Sequence, residues 1–399
     1  MKVIGNSAYP PYEKAGSIIL DVTDPANPSE VSSFPIAGKL RALGILGTNA
    51  YLVEEKSFHI VDISTPATPI LVGTTAKPGV KRPWMVKVVG DYAYVADLSL
   101  PGLLIYDVST PTAPVMKGTA TTPNGKEAWD VDVAGDYAFV ASMDDGLVIF
   151  DLTDKANPTL ASQCVTTDNS LYKSKNSQSR GLKVVGNYAY VGDAYGGLTI
   201  VNISTPTAPV KVANVGHDDM EAHRLDVDGN TCYVGGGKGV AIVDITTPAS
   251  PSIVSFLPKS DKWVRGARVL GDYVYYSEGL AVVDVADPAA PVEVSRYYSP
   301  DGREGWDCQL RAMTNGTYAF YGAERALRVL DVTNAASFAS FFTPPQVAYY
   351  WDQSALPGIP KGRGIDVVGD YVYMAGEDPG VVCIFKFTEP EAPAPASKV

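Results

Sequence analysis

Gly90-Asp91-Tyr92-Ala93-Tyr94-Val95, then Leu103-Leu104-Ile105-Tyr106-Asp107-Val108, then Ser109-Thr110-Pro111-Thr112-Ala113-Pro114: this passage decides the fold. It reads as a tight turn, a strand, a second strand closed by an aspartate, and a proline corner. Clear copies run from Gly135 to Val140 with Leu147 to Pro158, and from Gly186 to Val191 with Leu198 to Pro209. Fainter ones begin at Gly5, Gly47, Gly229, Gly271, Gly316 and Gly369. The closing aspartate recurs at intervals running from the 40 residues between Asp244 and Asp284 to the 55 between Asp331 and Lys386. Short turn-punctuated strands at such a period, with no helical pattern, are the mark of propeller blades.

Each unit reads as four strands, for instance Trp84 to Val89, Asp91 to Ala96, Leu103 to Val108 and Val115 to Thr119, rich in the Val, Ile and Tyr that suit a pleated surface. Gly-Asp and Gly-Asn pairs sit between strands one and two, where a tight turn needs positive φ. The paired corner prolines fall before the outermost strand, which can spare a ladder donor. The fold class is therefore all-β: a single closed β-propeller of four-stranded antiparallel blades over residues 1–399. Its nine repeat units begin near 1, 40, 83, 128, 179, 222, 264, 307 and 362, and residues 388–399 form a poor last strand or tail. Nine units would close head to tail, whereas propellers usually have about four to eight blades, so eight and nine both stand.

Leu147-Val148-Ile149-Phe150-Asp151, Phe58-His59-Ile60-Val61-Asp62 and their cognates resemble the LVIVD-repeat family over nearly the whole chain. The resemblance implies a β-propeller, commonly on exported or surface proteins of prokaryotes, and carries no catalytic residues with it. Asn334 to Phe338, which lacks both corner prolines, and Lys386 in place of the aspartate depart from the pattern.

A 399-residue chain with 46% apolar content can bury a large core. Its net charge of −12 argues against a general nucleic-acid partner, because phosphate binding is driven by Lys and Arg. No apolar run reaches membrane-spanning length, and no leader precedes the first strand, so the expectation is an exported or cell-surface prokaryotic protein whose leader is absent from this sequence, with a cytoplasmic protein as the alternative. Cys164, Cys232, Cys308 and Cys383 are scattered over four units and read as free thiols.

Aligning first strands on the turn glycine makes positions in different units comparable. Six residues before it stand Arg41, Trp84, Trp129, Arg180, His223, Arg265 and Arg363, which one axis would gather at one rim as a ligand or partner site. Arg and Trp are enriched at binding hot spots; the competing reading is that they pair locally with carboxylates such as Glu127, Glu221 and Glu304 and plug the channel. Three residues before the glycine, Lys2, Lys87, Asp132, Lys183, Asp226, Arg268 and Asp366 form a column whose sign alternates from unit three to unit seven. Inner charges are costly unless paired, so this reads as an inter-blade charge ring.

The one metal-like cluster is His217, Asp219, Glu221 and His223, for which a divalent ion is the minority reading beside an acidic loop, so the expected cofactor is none. His59 reads as a packed core residue, and Gly235-Gly236-Gly237 as a hairpin turn. Two insertions break the rhythm, Thr166 to Gln178 and Thr343 to Lys361; the second carries Tyr349, Tyr350 and Trp351 between prolines, which reads as an interface loop. No nucleophile elbow, zinc-protease motif or phosphate loop is present in the sequence. The expectation is a non-enzymatic module that binds another protein or itself as a surface or assembly scaffold. The alternative is an enzyme, or a binder of a metal or anionic ligand, at the Arg/Trp/His rim.

Overall fold

The computed structural model describes residues 40–297 outside the intervals 65–68, 77–81, 100–101, 167–177, 195, 217–219, 238, 259–266, 271 and 278–279, together with strand backbone of units one, eight and nine. Units two to eight each form one four-stranded antiparallel sheet whose strands follow chain order; unit nine shows three strands and unit one two pairs. Unit three is typical: Pro83–Val89, Tyr92–Asp97, Gly102–Asp107 and Val115–Thr121. First strands of successive units adjoin one another from Leu40–Leu46 to Gly362–Val368, and Val3–Ile4 adjoins both of these ends.

Each recurring residue of the repeat serves a local purpose. Gly90 and Gly186 turn with φ of 54° and 55°, and a Cβ at either would meet nothing, so backbone conformation and not space calls for glycine. The aspartate closing the third strand accepts the backbone N–H two residues on: Asp62 from Ser64 (2.8 Å), Asp151 from Thr153 (2.7 Å), Asp244 from Thr246 (2.8 Å). Asn202 does the same for Ser204 at 2.9 Å, which explains why asparagine can stand there: the turn needs an oxygen, not a charge.

The proline corner is also a lock between units. A Cβ at Gly73 would lie 2.1 Å from Pro111 O, and one at Gly118 2.3 Å from Lys155 O, so the corner of one unit presses on the outer strand of the unit before. Elsewhere that outer-strand position carries Ser162, whose Oγ donates to Pro206 O, and Ser255, which donates to Pro288 O at 2.9 Å. Each outer strand also carries a register shift opposite the middle of its neighbour, which twists the open edge away from further pairing.

The core lies between sheets. Phe58 of unit two stacks on Tyr106 of unit three at 4.2 Å between ring centres, within a cluster that includes Val53, Ile60, Val95 and Leu104. Equivalent clusters join units three and four, four and five, five and six, and six and seven.

The sheet geometry corrects two expectations. Tyr349 and Tyr350 are not in a free loop: they end Gln346–Tyr350, the fourth strand of unit eight, opposite Arg328 and Leu327. Asn334 to Phe338 carries no corner prolines, and Pro345, directly before the strand, comes 14 residues after Asp331 where Pro114 comes 7 after Asp107, so from sequence the strand merges into the insertion; Trp351 lies outside the described residues. Gly235 and Gly236 belong to the strand Thr231–Gly236, leaving the turn to Gly237 at φ 48°.

Candidate functional site

Loops joining strands two and three, and those joining one unit to the next, share one face of the sheets, here the loop face; the glycine turns and proline corners share the other, the turn face. Four residues of the rim column meet on the loop face. Trp84 and Arg180 lie on first strands, while Trp129 and His223 immediately precede theirs and are held by backbone bonds to Ala141 O (2.8 Å) and Gly235 O (3.1 Å). The indoles of Trp84 and Trp129 pack edge to face at 5.1 Å. The Arg180 guanidinium lies 4.7 Å over the Trp129 ring, and its Nη1 is 3.2 Å from His223 Nδ1. Four units thus contribute to one continuous ladder in which aromatic and cation–π contacts add to burial.

A second column orients the first. For two of the four the residue two positions earlier accepts a hydrogen bond, Glu127 Oε2 from the Trp129 indole N–H at 3.2 Å and Gln178 Oε1 from Arg180 Nη2; for a third, Glu221 Oε2 faces His223 Nε2 from 3.9 Å, beyond hydrogen-bond reach. Because Arg180 offers only donors, His223 Nδ1 is the acceptor and its ring proton sits on Nε2, facing Glu221. The segment carrying Glu221 and His223 is seated on glycines. A Cβ at Gly236 would lie 1.4 Å from Glu221 O, and one at Gly181 2.8 Å from His223 O. Gly236 stands where units three to five carry Asp97, Ser142 and Asp193, so the segment moves into space a side chain would fill.

Those side chains, with Asp145, form a feature that sequence reasoning did not single out. Asp97, Asp145 and Asp193 are fully buried on the loop face. Asp193 accepts from Gly196 N (2.9 Å), Gln178 N (3.1 Å) and Thr166 Oγ1 (3.2 Å), thereby fixing both ends of the insertion that delivers Gln178 to Arg180. Asp145 holds the 122–126 turn through Asn124 N at 3.2 Å and the Asn124 amide. For Asp97 and Asp193 the signal was a polar residue at the end of an otherwise apolar second strand, where a carboxylate calls for hydrogen-bond donors; Asp145, in the turn before a third strand, carried no such mark.

At the charge column, Lys87 Nζ lies 2.9 Å from Asp132 Oδ1 and Lys183 Nζ 3.7 Å from Asp226 Oδ1, both between adjacent units. The seam between units four and five is closed differently. Asp132 Oδ2 accepts Val184 N and Asp130 Oδ2 accepts Leu182 N, each at 3.1 Å, so carboxylates occupy the open amide edge of the next first strand. The lysine side chains are 42% and 44% exposed against 12% and 21% for their partners; these are half-wet pairs, not the dry ones anticipated from their inner position. Burial pushes the Asp130 carboxyl up to about 6, while the Arg224 guanidinium and the Leu182 and Val131 amides pull it down. Arg268 and Asp366 occupy strand positions with no described side chain, and Lys2 lies outside the described residues.

Arg41 and Arg363 sit on first strands, again without a described side chain, and Arg265 lies outside the described residues. So do His217 and Asp219 of the metal reading; among the described residues no three metal-capable groups cluster. His59 is buried but not merely packed. Its Nδ1 meets Thr74 Oγ1 at 2.9 Å and its Nε2 meets Glu54 Oε1 at 3.2 Å, and burial lowers its pKa against the pull of Glu54. Cys164 and Cys232 are free, and burial raises both thiols.

A family model described as the LVIVD repeat matches residues 1–35, 37–76, 83–122, 125–166, 177–216, 221–256 and 264–299. No curated protein sequence matches the chain. Among solved structures, the Cps50 (Swd1) beta-propeller domain of Myceliophteria thermophila aligns over 88% of this chain and 98% of its own, with TM-score 0.58 at 10% identity. BamB from Moraxella catarrhalis aligns over 88% and 95%, with TM-score 0.59 at 12% identity. A putative 6-phosphogluconolactonase from Bacteroides uniformis aligns over 72% and 95%, with TM-score 0.55 at 14% identity. At these identities the likeness is one of fold, and it spans a protein named as an enzyme as well as others.

Proposed function

Since the chain belongs to the LVIVD-repeat family, we propose that its nine units close into one ring that serves as a non-catalytic protein-docking module, with the loop-face ladder as the docking site. Closure is supported by the first strands, which adjoin in sequence with Val3–Ile4 between the ends, and by the contact of Ser17–Asp21 with Val382–Lys386. The observation that carries the docking reading is the ladder of Trp84, Trp129, Arg180 and His223, drawn from four consecutive units and steadied by hydrogen bonds from Trp129 to Glu127 and from Arg180 to Gln178. Half-buried Trp and Arg side chains whose rotamers are already held lose little entropy when a partner covers them.

Arg41, Arg265 and Arg363 occupy the aligned sequence position in units two, seven and nine, and in an acidic protein arginines recurring in that column favour an anionic or carboxylate-bearing partner segment. Salt weakens that contact. The test is quantitative co-purification from the source cells of the tagged parent, the Trp129→Ala/Arg180→Ala variant and Lys211→Ala. Partners retained by the parent and Lys211→Ala are lost from the rim variant; equal recovery from all three refutes the proposal.

A further inference from the structure

The turn face carries a pattern independent of the ladder. The residue before the turn glycine is apolar and exposed in three units, Leu46 at 42%, Val89 at 41% and Val185 at 41%. Farther out, the first residue of the outer strand repeats the exposure: Ile70 58%, Val115 56%, Val210 58% and Val292 58%, with Leu160 at 49% as the second residue of its strand. Singly exposed aliphatics are ordinary. These recur at two fixed positions of the repeat, so the fold arranges them as two concentric arcs on one face, and apolar surface organised in that way marks an interaction site.

Charge selects the occupant. The exposed turn residues beside the inner arc are Asp91, Asp136 and Asp272, with Asp228 at the place of Leu46 and Val89 in unit six. The remaining described turns carry Thr48, Asn187 and Asn230, so none of them offers a cation. The lysines described nearby are engaged: Lys155 lies 5.1 Å over the Tyr92 ring and Lys117 is 4.0 Å from Asp107. We infer that the turn face docks an amphipathic segment of another protein that bears lysine or arginine along one side and aliphatic residues along the other. Its apolar side covers the inner arc and its cations meet the turn aspartates. The module is then two-faced, with chemically opposite partners on its two mouths.

The experiment uses the full chain and a fluorescein-labelled amphipathic leucine/lysine peptide, read by anisotropy, with a leucine/glutamate peptide of the same length in parallel. Val89→Ser/Val185→Ser weakens binding about tenfold, as expected when a small apolar contact is lost. Asp136→Lys weakens it about fivefold or more. Asp144→Lys, the same charge change on the loop face, leaves it within about twofold. Four outcomes overturn the inference: equal binding of the glutamate peptide, parental affinity of the serine pair, an Asp144→Lys loss equal to that of Asp136→Lys, which would mean bulk charge attraction, and sedimentation showing parent self-association that the serine pair abolishes, which would assign the face to a second copy. Val89, Val185 and Asp136 are exposed and Asp144 is partly so, and circular dichroism of each variant matches the parent.

Discussion

Removing the Asp132 side chain separates the charge pair from the backbone clasp it also makes. Asp132 Oδ1 takes Lys87 Nζ at 2.9 Å and Val133 N at 3.0 Å, and Oδ2 takes Val184 N of the next unit at 3.1 Å. In Asp132→Ala the Lys87 ammonium, on a side chain 42% exposed, returns to water, so the ion pair itself contributes only about 0.2–1 kcal/mol. The inter-unit hydrogen bond to a charged acceptor contributes about 1.5–3 kcal/mol. The expected loss is about 2–3 kcal/mol, below the roughly 3–5 kcal/mol of a dry pair broken on one side. Asp132→Asn keeps an acceptor for Val184 and costs about half as much, and Lys87→Met costs under about 1 kcal/mol. Urea denaturation followed by Trp fluorescence gives each value. A Lys87→Met loss equal to that of Asp132→Ala, or an Asp132→Ala loss under about 0.5 kcal/mol, refutes the backbone-clasp argument.

The corner lock predicts that Gly118→Val, driven against Lys155 O and Pro158, costs about 1–3 kcal/mol or more, whereas Gly118→Ser, which copies Ser162, costs less; equal denaturation midpoints for the two contradict it. For Asp130 the folded pKa is raised from 3.8 to about 6. Its contribution to stability is therefore full below pH ~4 and lost as pH rises through ~6; Asp130→Asn flattens the urea midpoint between those values, and an unchanged slope refutes the assignment. His59, with its pKa lowered, contributes in the opposite sense, stability present above pH ~6.5 and lost as pH falls through the lower folded value, which His59→Gln should remove from the same titration.

The repeat was legible because each of its residues answers a local physical need, with glycine supplying positive φ, aspartate holding the turn after strand three and proline making the corner. Such needs leave a mark in most copies. The membership of Trp84, Trp129, Arg180 and His223 in one column was legible for the same reason, since an aligned position in repeated units must recur in space. What the sequence did not show are features made between units. The glycine at 118 and the serine at 162 look unrelated until the next unit's corner lies against both. Asp193 looks like the end of a strand until Thr166 and Gln178, the two ends of an insertion, are found bonded to it. Gly236 looks like part of a turn until Glu221 O is found where its side chain would be. The fourth strand of unit eight was lost because Pro345, the proline before it, stands twice as far from the closing aspartate as its counterparts do, so the spacing that marks the other corners failed there.

The docking claim is tested most directly by photo-crosslinking in the source cells, with a benzophenone amino acid placed at Trp84 in one variant and at Thr119, exposed on the outer strand of the same unit, in another. A discrete crosslinked partner from position 84 and none from position 119 is the expected result. No adduct at 84, or the same adduct from both positions, would contradict a binding site on the loop face.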